Sequence, residues 1–311
     1  MGTWEGHISP GVAFYSFGIV FCVQNSWAYF TRGRKFHRMP SKTNTKFGKV
    51  YSKVRQFPLD SFMKIIYGFG AAMAELFYPP GTNKLILLDS NGNWVHMNEW
   101  QHFTMYSAFM ISGIVDIISQ KLLKERETTL EKTIIAMAFY ITALLLFFHK
   151  HGKGELELEA HGLLLYANLA VCASLTLEVW RPFDQKLIWL HTLLIMQMGS
   201  WLFHLAYILF RPIGGEKWDS NNMHNLMILP IFYSWHIILN CTVMGIIHVL
   251  TWIYYRYRVS SSYSRIDNSE LQCCMPSHSD DNDSTNGGTF RSDFDGTNSR
   301  KRLQKSERRL P

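Results

Sequence analysis

The sequence predicts an all-α membrane protein, a bundle of seven transmembrane helices with its N-terminus outside or in a lumen and its C-terminus in the cytosol. Three observations lead to this fold class. Seven apolar stretches are each long enough to cross a bilayer core, which needs about 20 helical residues. Basic residues alternate between the segments that join those stretches. The last part of the chain, residues 257–311, contains few aliphatic residues.

The predicted spans follow one another with short connections, apart from one long segment after the first span. The second span is weak because it contains Lys64 and Glu75. The third is weak because it contains His102 and Asp116. The seventh is long enough to tilt or to extend beyond the bilayer. The predicted membrane domain covers residues 1–256, with spans at 11–30, 61–79, 101–120, 131–149, 161–180, 187–210 and 225–255.

The distribution of Lys and Arg predicts the orientation of the bundle. Of the 31 basic residues, 25 fall in the segments that follow the first, third, fifth and seventh spans, and five fall in the other connections. Cytosolic connections of membrane proteins carry such an excess of basic residues. These four segments are therefore predicted to be cytosolic, which requires an odd number of spans.

The net charge of +7 has the same explanation. Because the basic residues flank apolar spans, they indicate membrane orientation rather than binding to nucleic acid. The basic loop 31–60 is predicted to contact anionic lipid. Residues 257–311 are predicted to form a disordered cytosolic tail, since they contain too few aliphatic residues to build a core. The spans suit the plasma membrane, the Golgi or endosomes equally, and protein partners are not identified by the sequence.

Most of the histidines are predicted to lie at one depth in the membrane. With this orientation, nine of the thirteen fall toward the outer side, most of them at the ends of different spans. Glu75 closes the second span at the same depth. Polar residues also share single helix faces, as Asn225, His236 and Asn240 do in the seventh span. These faces are expected to line the interior of the bundle, because polar groups that face lipid are costly.

A cluster of imidazoles at one depth is typical of a metal site or of a proton pathway. The sequence does not identify a cofactor. A transition metal such as zinc is one candidate, haem is less favoured, and Glu75 is the candidate proton acceptor. A single histidine near a membrane interface more often only hydrogen-bonds with water, backbone or headgroups, so a structural role for each residue stays open. The candidate metal ligands are His7, His102, His149, His151, His161 and His236.

Short motifs along residues 1–256 resemble one known family. They are Gly6-His7, Ala74-Glu75 near Pro79-Pro80-Gly81, His102-Phe-Thr-Met-Tyr106, His149-Lys-His-Gly152, His161, Gly199-Ser-Trp201, Gly214-Gly215 with Trp218-Asp219, and Ser234-Trp-His236. Together they resemble the transmembrane protein 45 family, most closely its epididymal branch. The resemblance implies a multi-pass membrane protein without an established biochemical activity. His204 stands where relatives have glutamine and the tail is longer than theirs, which argues against a shared role for either.

Two functions stay open for this architecture. In the first, an outer cavity binds a metal whose activated water hydrolyses lipid, with Glu75 as the proton acceptor. In the second, the protein is a non-enzymatic scaffold, trafficking or transport-modulating protein, and the polar faces only join the helices. A G-protein-coupled receptor is disfavoured, because the third span lacks Asp-Arg-Tyr and the seventh lacks Asn-Pro-x-x-Tyr. A transporter also stays open, although no internal repeat is evident.

Overall fold

The protein is a bundle of α-helices. Its computed structural model describes residues 4–31, 58–149, 153–182, 184–210, 215, 218–220 and 222–273, with side chains described through Arg258. These residues form seven helices and no strand apart from one isolated bridge. The helices are α1 (Trp4–Thr31), α2 (Leu59–Phe77), α3 (Met97–Lys121), α4 (Thr128–Phe148), α5 (Glu155–Trp180), α6 (Gln185–Phe210) and α7 (Met223–Cys273). The all-helical prediction is therefore confirmed.

Six of the seven helices in the described residues are long and apolar enough to cross a membrane, by length and composition. The exception is α2, whose 19 residues include Asp60, Lys64 and Glu75. α7 meets the same requirement through Arg258. The protein is therefore a multi-pass membrane protein that contacts the lipid bilayer, as the sequence predicts.

Two helices begin earlier than the predicted spans. α1 begins at Trp4 and α5 at Glu155, whereas the predicted spans begin at residues 11 and 161. The difference is about two helical turns in each case. The first turns contain Glu5 in α1 and Glu155 in α5, and carboxylates stabilise the positive N-terminal end of a helix. Both helices therefore start before the chain becomes apolar.

The chain divides into two compact units, and the first ends at residue 260. The helical backbone of α7 continues to Cys273, beyond residue 256, where the sequence predicts the end of the membrane domain. Most of the predicted cytosolic loop and tail, residues 32–57 and 274–311, lie outside the described residues. The lipid contact and the disorder predicted for these segments stay predictions.

Helices α1 to α6 form a closed ring in chain order. Each packs against the next, and α6 packs back against α1. α7 lies outside the ring, where the Asn240 amide donates a hydrogen bond to Gln197 Oε1 of α6 at 2.9 Å. It also reaches α1, because His248 Nδ1 lies 3.3 Å from Ser26 Oγ. Six helices therefore bound the interior, and α7 supports the ring from outside.

α1 and α6 approach each other closely at two glycines. A Cβ atom on Gly199 would lie 2.4 Å from the backbone nitrogen of Tyr15, and one on Gly18 would lie 2.2 Å from Met196 Cγ. Both distances are shorter than real Cβ contacts, so a larger residue would push the helices apart. This contact joins the first and last helices of the ring and so closes it.

The apolar core lies mainly between α4, α5 and α6. Trp201 of α6 is fully buried, and its Nε1 donates a hydrogen bond to the Ala160 carbonyl of α5 at 2.9 Å. Asn168 of α5 is also fully buried, and its amide donates to the Phe139 carbonyl of α4 at 3.1 Å. These two bonds fix the register of three ring helices and hence the positions of the side chains that they direct into the ring.

Candidate functional site

Two cavities lie inside the ring and share part of their walls. Both are lined by all six ring helices, and their volumes are about 110 Å³ and about 270 Å³. Phe14, Phe17, Lys64 and Phe109 line both, so the cavities follow each other along the ring axis. We name the smaller one the histidine cavity, for His7, His102, His149 and His161. The larger one is the charged cavity, lined by Asp60, Lys64, Asp116, Arg126, Glu131, Lys132, Glu178 and His191.

Four histidines from different ring helices meet at the histidine cavity. The ring centroids of His102 and His149 are 5.2 Å apart, and those of His149 and His161 are 6.1 Å apart. His7 completes the series, with its ring centroid 5.4 Å from that of His161. All four are among the predicted metal ligands, and the structure brings them into one continuous series of ring contacts.

Neighbouring acceptors fix the tautomers of two of these rings. Glu75 Oε1 lies 3.0 Å from His102 Nδ1, and Gln101 Oε1 lies 2.6 Å from His149 Nδ1. Because both oxygens accept hydrogen bonds, each Nδ1 carries the hydrogen and donates it. In each neutral ring, Nε2 then has an unprotonated lone pair that is able to accept a proton. Glu75, the predicted proton acceptor, therefore orients His102 in this arrangement.

His161 has more polar neighbours than His102 or His149. Its Nδ1 donates to the backbone carbonyl of Glu157 at 2.7 Å, so Nε2 accepts in the neutral ring. Lys153 Nζ and His7 Nε2 each lie 3.3 Å from that Nε2. Burial lowers the pKa of Lys153, which lies just before α5 and pairs with Glu157 at 3.0 Å. An ammonium group beside His161 favours proton exchange here over the binding of a metal cation.

Two of the six predicted metal ligands are not in this cluster. His236 lies outside the ring, with its Nε2 3.2 Å from His204 Nδ1, and the His204 ring stacks on Trp201. Depth alone groups His236 with the other histidines, but α7 does not line the interior. His151 lies outside the described residues. Within the described part of the chain, no three His, Cys, Asp or Glu side chains are arranged to hold a metal ion.

The charged cavity contains an ion pair between α2 and α3. Lys64 Nζ contacts the Asp116 carboxylate, and the two side chains are 8% and 4% exposed. Lys64 Nζ also donates to Ser112 Oγ at 3.1 Å, and Ser61 Oγ donates to Asp116 Oδ2 at 3.4 Å. Since Lys64 lines both cavities, this ion pair lies where they meet.

A second buried carboxylate lies further along the charged cavity. Glu178 of α5 is 1% exposed and accepts hydrogen bonds from Lys132 Nζ at 2.8 Å and from His191 Nδ1. On the same wall Arg126 donates to both oxygens of Glu131, at 2.9 Å from Nε and 2.7 Å from Nη2. The carboxylates of Asp116, Glu131 and Glu178 therefore each have a cationic or imidazole partner.

Sequence reasoning did not select Lys64, Asp116 or His191 as site residues. The first two carried a usable signal, because charged residues inside apolar spans mark ion pathways and proton relays in membrane proteins. His191 carried no such signal, since it is predicted to lie on the side opposite the other histidines.

Three phenylalanines pack together where the two cavities meet. The ring centroids of Phe109 and Phe139 are 5.0 Å apart and those of Phe14 and Phe109 are 5.6 Å apart, both edge to face. Phe14 and Phe139 are 6.0 Å apart. Phe14 and Phe109 of this aromatic cluster line both cavities, and Phe139 lines the charged cavity.

A closed helix ring with ionisable side chains buried along its axis defines a polytopic helical membrane protein with a polar interior. Residues 128–249, from α4 into α7, match the family model described as "Family of unknown function (DUF716)". Together with the relatives that follow, this match confirms that the chain resembles the transmembrane protein 45 family and its epididymal branch.

Three relatives carry the name transmembrane epididymal protein. Transmembrane epididymal protein 1 of Rattus norvegicus is 29% identical over 244 residues, which cover 78% of this chain and 79% of the relative. Transmembrane epididymal protein 1A of Mus musculus matches with the same identity and coverage. Transmembrane epididymal protein 1 of Homo sapiens is 32% identical over 168 residues, or 54% of this chain and 62% of the relative.

Proposed function

We propose that all seven helices cross the membrane, with the N-terminus and the histidine cavity on the outer side and the C-terminus in the cytosol. The 19 residues of α2 extend for about 28 Å, close to the thickness of a bilayer core. Its charges are compatible with a span, since Asp60 lines the charged cavity, Lys64 pairs with Asp116, and Glu75 pairs with His102. The distribution of basic residues supports the orientation.

The proposed function is proton transfer across the membrane along the ring axis. The observation that carries it is the position of Lys64, which joins two cavities that are lined with ionisable groups. On the outer side the lone pairs of His102 and His149 accept protons. On the inner side Glu178 and His191 form a second exchange site. Ionisable side chains buried within membrane helices are typical of such relays.

The position of the aromatic cluster favours proton exchange between side chains over proton movement through a water-filled channel. Phe14, Phe109 and Phe139 pack edge to face or tilted against one another, and Phe14 and Phe109 line both cavities. In this proposal the three rings interrupt the water column along the axis. Protons therefore pass from one cavity to the other through the Lys64–Asp116 pair rather than through an open channel. Transfer depends on exchange between buried groups and is slower than channel conduction.

The test is proton flux into vesicles that contain the purified full chain. A potassium diffusion potential drives the flux, and a pH-sensitive dye inside the vesicles reports it. We expect Glu178→Gln to reduce the flux to that of empty vesicles, because an amide cannot exchange protons with His191. The matched control is His236→Gln, which changes a histidine outside the ring and leaves the flux unchanged. Wild-type flux equal to that of empty vesicles would refute the proposal, as would full flux in Glu178→Gln.

A zinc-dependent lipid hydrolase is the second candidate. Four predicted ligands lie at one cavity, but no three of the described His, Cys, Asp or Glu side chains are arranged to hold a metal ion, so zinc would have to draw these side chains closer together. A histidine ligand usually donates its other ring nitrogen to an outer acceptor, as His102 does to Glu75 and His149 does to Gln101. Metal analysis of the purified protein is the test. This candidate requires about one zinc per chain, absent in His102→Ala and kept in His236→Ala. Protein purified without chelator and free of zinc would exclude it.

A non-enzymatic scaffold is the remaining alternative, and it predicts neither proton flux nor bound metal. In that case the buried polar groups only join the helices, and loop 31–60 carries the interactions. A peptide with the sequence of loop 31–60 would then bind vesicles that contain anionic lipid more tightly than neutral vesicles, and removal of its basic residues would abolish the difference.

A further inference from the structure

A short hairpin with a single β-bridge connects α2 to α3 on the side of the histidine cavity. Leu88 and Trp94 form an antiparallel bridge, and the Val95 amide donates to the Leu87 carbonyl at 2.9 Å. The Asp89 amide donates across the hairpin to Asn93 at 3.0 Å. We name residues 85–95 the outer ribbon.

The tip of the outer ribbon is polar and well ordered by local hydrogen bonds. Asp89 Oδ1 accepts from the backbone amides of Asn91 and Asn93, both at 2.8 Å. Hydrogen bonds from Asn93 lower the pKa of Asp89, so the tip carries a negative charge at neutral pH. Gly92 supplies the positive φ of 78° that the turn requires. The tip therefore suits water or the outermost headgroup region.

The arms of the ribbon have the opposite character. Ile86 is 61% exposed and Trp94 is 66% exposed, and Leu88 beside them is 47% exposed. Leu85 and Leu87, which point to the other face, are exposed as well. Four consecutive aliphatic residues and a tryptophan thus lack cover on both faces of the ribbon. On a soluble protein, an apolar patch of this kind marks a binding surface. On a membrane protein, contact with lipid covers it.

The base of the ribbon is held at the start of α3. Trp100 Nε1 of α3 donates to the Lys84 carbonyl at 3.1 Å, and Lys84 Nζ pairs with Glu99 at 3.4 Å. At the other end of the connection, Phe77 of α2 and the following Tyr78 are also exposed. The arms therefore begin close to the end of α2 and the start of α3.

We propose that the arms of the outer ribbon lie in the headgroup and upper acyl region of the leaflet on the histidine-cavity side. Tryptophan is favoured at this depth. A hairpin of this kind has unpaired backbone edges, which headgroups can satisfy and the hydrocarbon core cannot. The partner is a zwitterionic phospholipid, because Lys84 is paired and the tip is negative. This inference does not depend on the proton route.

The test places a fluorophore on one arm and, separately, on the tip. The full chain is placed in phosphatidylcholine nanodiscs, with an environment-sensitive dye on Ile86→Cys or, as the matched control, on Asn91→Cys. Both positions are exposed, so labelling leaves the fold intact. Trp94→Cys provides a second position on the same face as Ile86. Before the new cysteine is introduced and labelled, the native residues Cys241, Cys273 and Cys274 are replaced by serine.

Contact with lipid predicts a blue-shifted emission at Ile86 and at Trp94, and loss of that emission when the phospholipids carry a nitroxide near the top of the acyl chain. The dye at Asn91 keeps the emission of an aqueous environment. Water-like emission at both arm positions would overturn the proposal. A blue shift without quenching by the nitroxide lipid would also overturn it, because a protein partner or a second copy would then cover the arms.

Discussion

Replacing Lys64 by methionine is expected to lower the free energy of unfolding by about 3–5 kcal/mol. The substitution keeps most of the apolar volume but leaves the Asp116 carboxylate, 4% exposed, without its cation. A buried charge without a partner is costly, and this is why breaking such an ion pair destabilises a protein more than replacing the whole pair does. Chemical unfolding in detergent, followed by circular dichroism, measures the change.

Two further variants make this prediction specific. Lys64→Met combined with Asp116→Leu removes both charges and is expected to regain most of the lost stability. Lys121→Met removes an exposed lysine at the end of α3 and should change the free energy of unfolding by less than about 0.5 kcal/mol. If the double variant is as unstable as Lys64→Met, the cost does not come from the unpaired carboxylate.

Replacing Gly199 by alanine is expected to lower the free energy of unfolding by about 1–3 kcal/mol, because the new methyl group overpacks the contact between α1 and α6. Its Cβ would lie 2.4 Å from the backbone nitrogen of Tyr15, and a backbone atom cannot move aside as a flexible side chain can. The same unfolding measurement in detergent tests this expectation.

The control for Gly199 is a glycine in the same kind of element with free space around it. A Cβ atom on Gly162 of α5 would meet nothing within 4 Å. Gly162→Ala is therefore expected to raise the free energy of unfolding by about 0.5–1 kcal/mol, since alanine is the better helix former. Equal effects of the two substitutions would mean that the contact between α1 and α6 does not limit stability.

The helices themselves could be predicted from the sequence, whereas the arrangement of the helices could not. The lengths of the apolar stretches located all seven helices. Where a helix begins earlier than predicted, its first turn is polar, as at Glu5 and Glu155. A polar face indicates that a helix has a protein partner but not which one. Asn240 is an example, because its amide binds Gln197 on the outside of the ring rather than a group in the interior.

The histidine cavity could be anticipated in part because depth is readable from the sequence. Residues at one level on neighbouring helices meet when those helices share an interior, as His102, His149 and His161 do. Depth does not give the direction in which a helix face points around the bundle. His236 is predicted at the same depth as the other histidines but lies outside the ring, next to His204. His191 was missed because it is predicted to lie on the side opposite the other histidines, and the sequence does not show that it contacts Glu178.

The closure of the ring by α1 and α6 has a consequence for biosynthesis. Asn25 of α1 donates to Thr192 of α6, 167 positions further along the chain. At a synthesis rate of about 5–20 residues per second, α1 waits on the order of 10–30 s in the membrane before this partner exists. During that interval its polar and glycine-lined face has to be shielded by lipid or by the insertion machinery. A nascent chain that stops before residue 185 leaves α1 permanently without that partner.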